Sequence, residues 1–247
     1  ATYAGSINYE AASGTAVLTI LPPAPGVAGL IAAYGFNEGG GDVAADSSGR
    51  GHHGVIKGAD YVEGRFGRAL QFDGRNDWVT IADDADLDLR NALTIEAWVK
   101  PASLYGWRTV VIKERNDWSQ AYALYGSEDV PRPSGYVNIG GDYKGVMGPG
   151  LPLNAWTHVA VTYSGSMLRL YVNGTEVNRR SVSGRLVTGN APLRIGGNSI
   201  WGEYFDGLID EVRIYGSAIT PAEIQRDMNM PIARETEPPV VSIVSPV

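Results

Sequence analysis

The chain has 247 residues, 44% of them apolar, a formal net charge of −7 and no cysteine. That length can bury a sizeable core as one large β domain or as two smaller ones. The negative balance excludes sequence-independent nucleic-acid binding, which needs a Lys/Arg field to displace phosphate counterions, and zero cysteine excludes a disulfide framework, thiolate metal sites and a Cys nucleophile.

The order of elements opens with one strand at 15–21 (TAVLTIL), followed by a Pro-rich linker, LPPAPGVAG, at 21–29. From 29 to 230 the sequence reads as short strands punctuated by turn signals, at 31–36, 69–72, 78–81, 93–100, 109–113, 121–125, 136–140, 157–163, 167–172, 176–178, 193–195 and 208–215. Asn173-Gly174 is a type I′ hairpin signal. Thr220-Pro221-Ala222-Glu223 is a capping box with Pro at the first helical position, predicting one short helix to about Met228. This spacing predicts an all-β fold, a two-sheet antiparallel jelly roll sandwich with one short C-terminal helix. Residues 1–28 and 231–247 fall outside that domain. No apolar run reaches the roughly 20 residues of a membrane span, so no membrane insertion is expected.

Two stretches carry the metal argument. Read with period 2, FDGLIDEVRIY at 205–215 places Leu208, Asp210, Val212 and Ile214 on one face, and a carboxylate among branched apolar side chains needs a partner. Asp46 opens a turn-rich loop, DSSGRGHHG, whose glycines let backbone carbonyls converge. Hard oxygen donors of this kind suit Ca²⁺, which takes six to eight of them at about 2.3–2.6 Å.

Taken together and in order, YGFNEGGGDVAADSSGRGHHGVI, ALQFDGRNDWVTIADDADLDL, LTIEAWVKP, WTHVAVTYSGSMLRLYVNG and FDGLIDEVRIYGSAITPAEI resemble the laminin-G-like jelly roll of the concanavalin A-like lectin/glucanase superfamily, over about 30–228. The resemblance implies one concave and one convex sheet with a frequent structural Ca²⁺. Its metal positions fall on Asn37, Asp46, a backbone carbonyl between Arg50 and His53, and Asp210. His53 stands where the loop often carries Asp or Asn, so carbonyl and water ligands are expected to make up the count. At the ends, ATYAGSINYEAASGTAVLTI and EPPVVSIVSPV resemble the close and the start of bacterial immunoglobulin-like repeats. They imply a module in a multidomain secreted or cell-surface protein, with Ig-like neighbours in the same chain.

Catalysis is not expected. Laminarinase-type members of the superfamily carry Glu-x-Asp-x-(x)-Glu on one strand, which sets two carboxylates about 5–5.5 Å apart as a retaining mechanism requires. LTIEAWVK offers only Glu96, and strand alternation sends Asp210 and Glu211 to opposite faces. His52, His53 and His158 come without a Gly-x-Ser-x-Gly elbow, and His158 reads as a structural histidine with its hydrogen bonds made. Trp78, Trp98 and Trp156 sit in or beside strands and read as core.

Carbohydrate binding is the better prospect. Trp107, Arg108, Asn116, Asp117 and Trp118 lie in two connections flanking one strand, and Tyr143 and Trp201 lie in Gly-rich loops farther on. An aromatic face covers the C–H face of a sugar ring, while Arg, Asn and Asp bond its hydroxyls. The expectation is therefore a non-catalytic, monomeric, glycan-binding module. Two other classes stay open. An adhesion or spacer domain would bury those tryptophans, and a polysaccharide-active enzyme would show paired carboxylates on an open face.

Overall fold

The structure is a computed structural model that describes residues 29–232. The strand expected at 15–21 and both immunoglobulin-like remnants lie outside those residues. In chain order the strands are β1 (Leu30–Tyr34), β2 (Val43–Ala44), β3 (Gly54–Lys57), β4 (Asp60–Glu63), β5 (Arg68–Asp73), β6 (Trp78–Ile81), β7 (Leu93–Pro101) and β8 (Arg108–Arg115). They continue as β9 (Ser119–Ser127), β10 (Ser134–Ile139), β11 (Asp142–Met147), β12 (Thr157–Tyr163), β13 (Met167–Val172), β14 (Thr175–Ser181), β15 (Leu193–Ile195) and β16 (Asp206–Tyr215), followed by helix α1 (Pro221–Asp227).

Two antiparallel sheets result. One runs β14-β13-β12-β7-β16-β5-β4, with β1 also paired to β16; the other runs β11-β10-β9-β8-β15-β6-β3-β2. The core lies between them. From the first sheet it takes Ile95, Ala97, Val99, Val159 and Val161, and from the second Val79, Ile81, Val111, Leu124, Val137 and Leu193. These are the alternate residues of each strand, and fully burying a branched side chain of this size contributes roughly 1.5–3 kcal/mol.

Four strands escaped the sequence. β2, β4 and β11 are edge strands. They are short or polar because one side of an edge strand needs no apolar cover. In β3 the reason is Gly54, where a Cβ would meet Val79 Cγ1 at 2.4 Å, so the strand gives up a β-former to let its neighbour in. The helix begins as expected. Thr220 Oγ1 accepts from the Glu223 backbone N–H, and Glu223 accepts from the Thr220 N–H. Asn173 (φ 49°) and Gly174 (φ 71°) form the type I′ turn between β13 and β14.

The face assignment in β16 is corrected. Its register against β7 shifts between Asp210 and Arg213, and Glu211 takes φ 53°. This bulge inverts the alternation, so Ile209, Val212 and Ile214 face the core. Asp210 and Glu211, expected on opposite faces, both lie on the outer side, opposite Trp98 and beside Arg213. Trp78 and Trp156 are also half-buried rather than core. Trp78 stacks on Tyr204 with ring centroids 5.8 Å apart on the outer face of the second sheet.

Candidate functional site: an aromatic groove on the second sheet

The register of the second sheet sets an outward row of side chains from Gly145 through Tyr136, Ala123, Ile112, Arg194 and Thr80 to Val55. At the β9–β11 end this surface is aromatic. Trp107, Tyr125, Tyr136, Tyr143 and Trp201 line a groove of about 330 Å³. Gln120 and Glu203 are its polar groups. Trp107 meets Tyr125 edge to face at 5.0 Å and Tyr136 in a tilted arrangement at 5.9 Å, and Tyr143 meets Trp201 edge to face at 6.3 Å. Gly145 permits this surface, since a Cβ there would lie 2.3 Å from the Tyr136 ring.

Polar contacts fix the aromatic groups. Trp107 Nε1 donates to Asp129 Oδ1 at 2.9 Å, and the Tyr136 hydroxyl donates to Glu128 Oε2 at 2.5 Å. Asn198, fully buried, organises the loop that carries Trp201 and Glu203. Its Nδ2 donates to Thr109 Oγ1 and Glu203 Oε2, and its Oδ1 accepts from the Trp201 N–H. Partial burial raises the Glu203 carboxyl above its ordinary pKa, against the stabilising bonds from Asn198 and Tyr125. The loop geometry is thus over-determined before any ligand arrives.

A second hollow of about 240 Å³ lies on the same sheet, lined among others by Asn116, Trp118, Arg194 and Ser199. Glu114, at its base, accepts from the Ser199 N–H and hydroxyl and pairs with Arg194 at 3.0 Å. Trp118 is 75% exposed and sits at φ 60°. A bulky residue in the left-handed region is a strained choice for a solvent-facing turn.

Of the expected ligand residues, Trp107, Tyr143 and Trp201 meet in the first groove, and Asn116 and Trp118 in the second hollow. Arg108 and Asp117 join neither. The Arg108 guanidinium bonds the Tyr204 carbonyl and Ser103 Oγ, and Asp117 is held by Arg115 and the Ser119 hydroxyl. Tyr125, Tyr136, Gln120 and Glu203 are not among the expected ligand residues; the first three stand on strands β9 and β10 and Glu203 in the loop that carries Trp201. Alternation along β9 and β10 groups Tyr125 with Ala123 and Tyr136 with Ser134 without saying which phase faces outward, and Gln120 joins the outward face only through the register shift opposite Lys113 and Glu114.

The expected metal residues divide into two groups. Asp46 is buried and its two oxygens accept from the Ala33, Ser48 and His52 backbone N–H groups and the Ser48 hydroxyl. His53 Nδ1 accepts from the Asp46 N–H, and Arg50 bonds the Leu30 carbonyl and Asp86. Asp210 and Asn37 instead hold the turn before β5. Asp210 Oδ2 accepts from Arg65 and Phe66 N–H, and Asn37 Oδ1 from Arg68 N–H. Four donors occupy the lone pairs of Asp46, so these residues do not fit a Ca²⁺ shared between Asp46 and Asp210. The hydrogen bonds of Asp46 and of Asp210 with Asn37 form two polar staples that tie two different turns.

Glu96 and Glu211 on the first sheet are covered. Glu96 lies 3.8 Å from His158 and 3.9 Å from Arg213, all three buried. The chain after α1 closes over them through Trp98 Nε1 to the Met228 carbonyl, Arg213 to the Met230 carbonyl, and the Ile232 N–H to Glu211. Burial pushes Glu96 up to about 8 and Glu211 to about 7, and lowers His158 to about 3. Neither ring nitrogen of His158 has a hydrogen-bond partner among the described residues, unlike the expected structural histidine.

Fold and groove together define a class, a two-sheet antiparallel β-sandwich that presents a preformed aromatic surface on one outer face. Residues 73–225 match the laminin G family of the concanavalin A-like lectin/glucanases superfamily, and the chain belongs to that family. Domain 4 of AbnA, a GH43 extracellular arabinanase from Geobacillus stearothermophilus solved with arabinotriose, superposes with a TM-score of 0.68 at 25% identity, over 81% of this chain and 98% of that one. The binding domain of Paraclostridial Mosquitocidal Protein 1 shares the fold with a TM-score of 0.63 at 18% identity, over 80% of this chain and 51% of that one. Human pappalysin-1 is 27% identical over 187 residues, which is 65% of this chain and 11% of pappalysin-1. Adhesion G-protein coupled receptor V1 of Danio rerio is 30% identical over 81 residues, 32% of this chain and 1% of the receptor. The chain therefore spans a small fraction of either curated relative. No helix among the described residues is long and apolar enough to cross a membrane.

Proposed function

We propose that this domain is a non-catalytic carbohydrate-binding module of a secreted or cell-surface protein, and that the groove lined by Trp107, Tyr125, Tyr136, Tyr143 and Trp201 is where the sugar binds. The observation that carries this is the groove itself. Five aromatic side chains converge with two hydrogen-bonding groups, and Tyr143 and Trp201 remain 43% and 44% exposed. Rings held in this way offer apolar faces to sugar C–H groups, while Gln120 and Glu203 accept or exchange hydrogen bonds with hydroxyls. The likeness to a domain solved with arabinotriose supports an oligosaccharide as the ligand class. An inert spacer would bury the exposed tryptophans, and a hydrolase of this architecture would leave a carboxylate pair open instead of covering Glu96 and Glu211. No shared Ca²⁺ at Asp46 and Asp210 enters the proposal, because three N–H groups and the Ser48 hydroxyl fill the lone pairs of Asp46.

Isothermal titration against a panel of neutral pentose and hexose oligosaccharides tests the proposal. Binding of at least one class, weakened about tenfold or more by Trp201→Ala, supports it. Equal binding by the wild type and the variant counts against this groove.

A further inference from the structure

Glu203 is the only charged side chain among the lining residues of the groove. Asp129 and Glu128 stand behind the Trp107 and Tyr136 rings as their hydrogen-bond acceptors. The neighbouring cations are committed elsewhere. Arg108 bonds the Tyr204 carbonyl and Ser103, and Lys144 pairs with Asp142. Arg194 pairs with Glu114 and lies 4.3 Å from the centroid of the Trp78 ring. Among the lining residues a ligand in this groove meets one carboxylate, Glu203, and no guanidinium or ammonium group.

We propose that the groove selects uncharged oligosaccharides over chains bearing carboxylates or sulfates, and that Glu203 is the residue that sets the preference; this rests on the groove being the sugar site. Carboxylate oxygens accept from sugar hydroxyls, and a neighbouring pair of hydroxyls can satisfy both oxygens of one carboxylate. An anionic substituent at the same place would face Glu203 across a partly desolvated gap, where like charges repel far more than in bulk water. Asn198 makes the arrangement rigid. Its Nδ2 holds Glu203 Oε2 at 2.8 Å, so the carboxylate cannot swing away to relieve the repulsion without losing that bond.

The experiment measures the affinities of neutral oligosaccharides and of their uronate counterparts of equal length, at 0.05 and 0.5 M NaCl. The neutral chain is expected to bind about tenfold or more tightly at low salt, with the ratio shrinking at high salt as screening shortens the reach of the charges. Glu203→Gln is expected to shrink the low-salt ratio by about threefold or more, and Glu203→Ser reads the same quantity should the first variant fold poorly. A uronate chain that binds as well as the neutral one, while Trp201→Ala still abolishes binding, overturns the selectivity and leaves the groove standing. A ratio that neither Glu203→Gln nor salt moves also overturns it. Binding of no sugar at all removes both the groove and its preference.

Discussion

Tyr143 on edge strand β11 and Trp201 in the loop after β15 meet edge to face, with ring centroids 6.3 Å apart. They are 58 residues apart in sequence (201 − 143), and each is more than two-fifths exposed. Exposed aromatic residues this far apart make contact only because sheet register carries one toward the other, and the contact forms one wall of the groove.

Removing either ring should therefore cost binding and little stability. Tyr143→Ala is expected to weaken oligosaccharide binding by about tenfold while changing folding free energy by less than about 1 kcal/mol, the range of exposed substitutions and surface aromatic pairs. Titration and chemical denaturation on the same variant check both halves.

Asp46 is a structural residue. Asp46→Ala would strip an acceptor from four donors, including the buried Ala33 and His52 N–H groups. A loss of about 3 kcal/mol follows from charge-assisted bonds and unsatisfied buried donors. Because the donors already satisfy this carboxylate, adding EDTA should leave the melting temperature where it was. A fall on chelation that Ca²⁺ reverses, and that Asp46→Ala removes, would contradict the arrangement described.

The buried cluster beneath the C-terminal segment makes stability depend on pH. Glu96 has a folded pKa raised from 4.5 to about 8, so the stability that comes from holding it protonated is complete below 4.5 and falls as pH rises toward 8. Glu211, raised to about 7, acts in the same direction. His158 works the other way, its contribution being lost as pH falls from 6.5 toward 3. Between pH 6.5 and 8 only the carboxylate effect operates. Melting temperature should decline across that window, and Glu96→Gln should flatten the decline.

Trp118 at φ 60° is strained and its side chain is largely in solvent. Trp118→Gly should stabilise the fold by about 0.5–1 kcal/mol, the balance of relieved left-handed strain against added backbone entropy, whereas Trp118→Val should destabilise it. Thermal denaturation of the pair decides whether strain or packing governs this turn.

Much of the fold was legible because its signals are local. The alternation of LTIEAWVK, the Asn173-Gly174 turn and the Thr220–Glu223 capping box each depend on neighbours in sequence, and each appears as expected. The bulge at Glu211 was not legible, because a single residue at positive φ leaves no mark in a period-2 pattern while reversing every face before it. At Asp46 a turn carboxylate was legible but its partners were not, because the Ala33 N–H, the Ser48 N–H and hydroxyl and the His52 N–H reach it only once the loop folds against β1. Loop aromatics at Trp107 and Trp201 could be found from composition. Tyr125 and Tyr136 could not, since a strand aromatic reads equally well as core or surface until the facing sheet is known.

The central claim is that the outer aromatic groove receives sugar. It is tested most directly by the indole N–H resonances of Trp107, Trp201 and Trp98 during titration with a neutral oligosaccharide. Trp98 is bonded to the Met228 carbonyl under the C-terminal segment and serves as the internal reference. The expected result is saturable movement of the Trp107 and Trp201 signals with Trp98 unmoved. Saturable binding that leaves both groove indoles unmoved would contradict the claim.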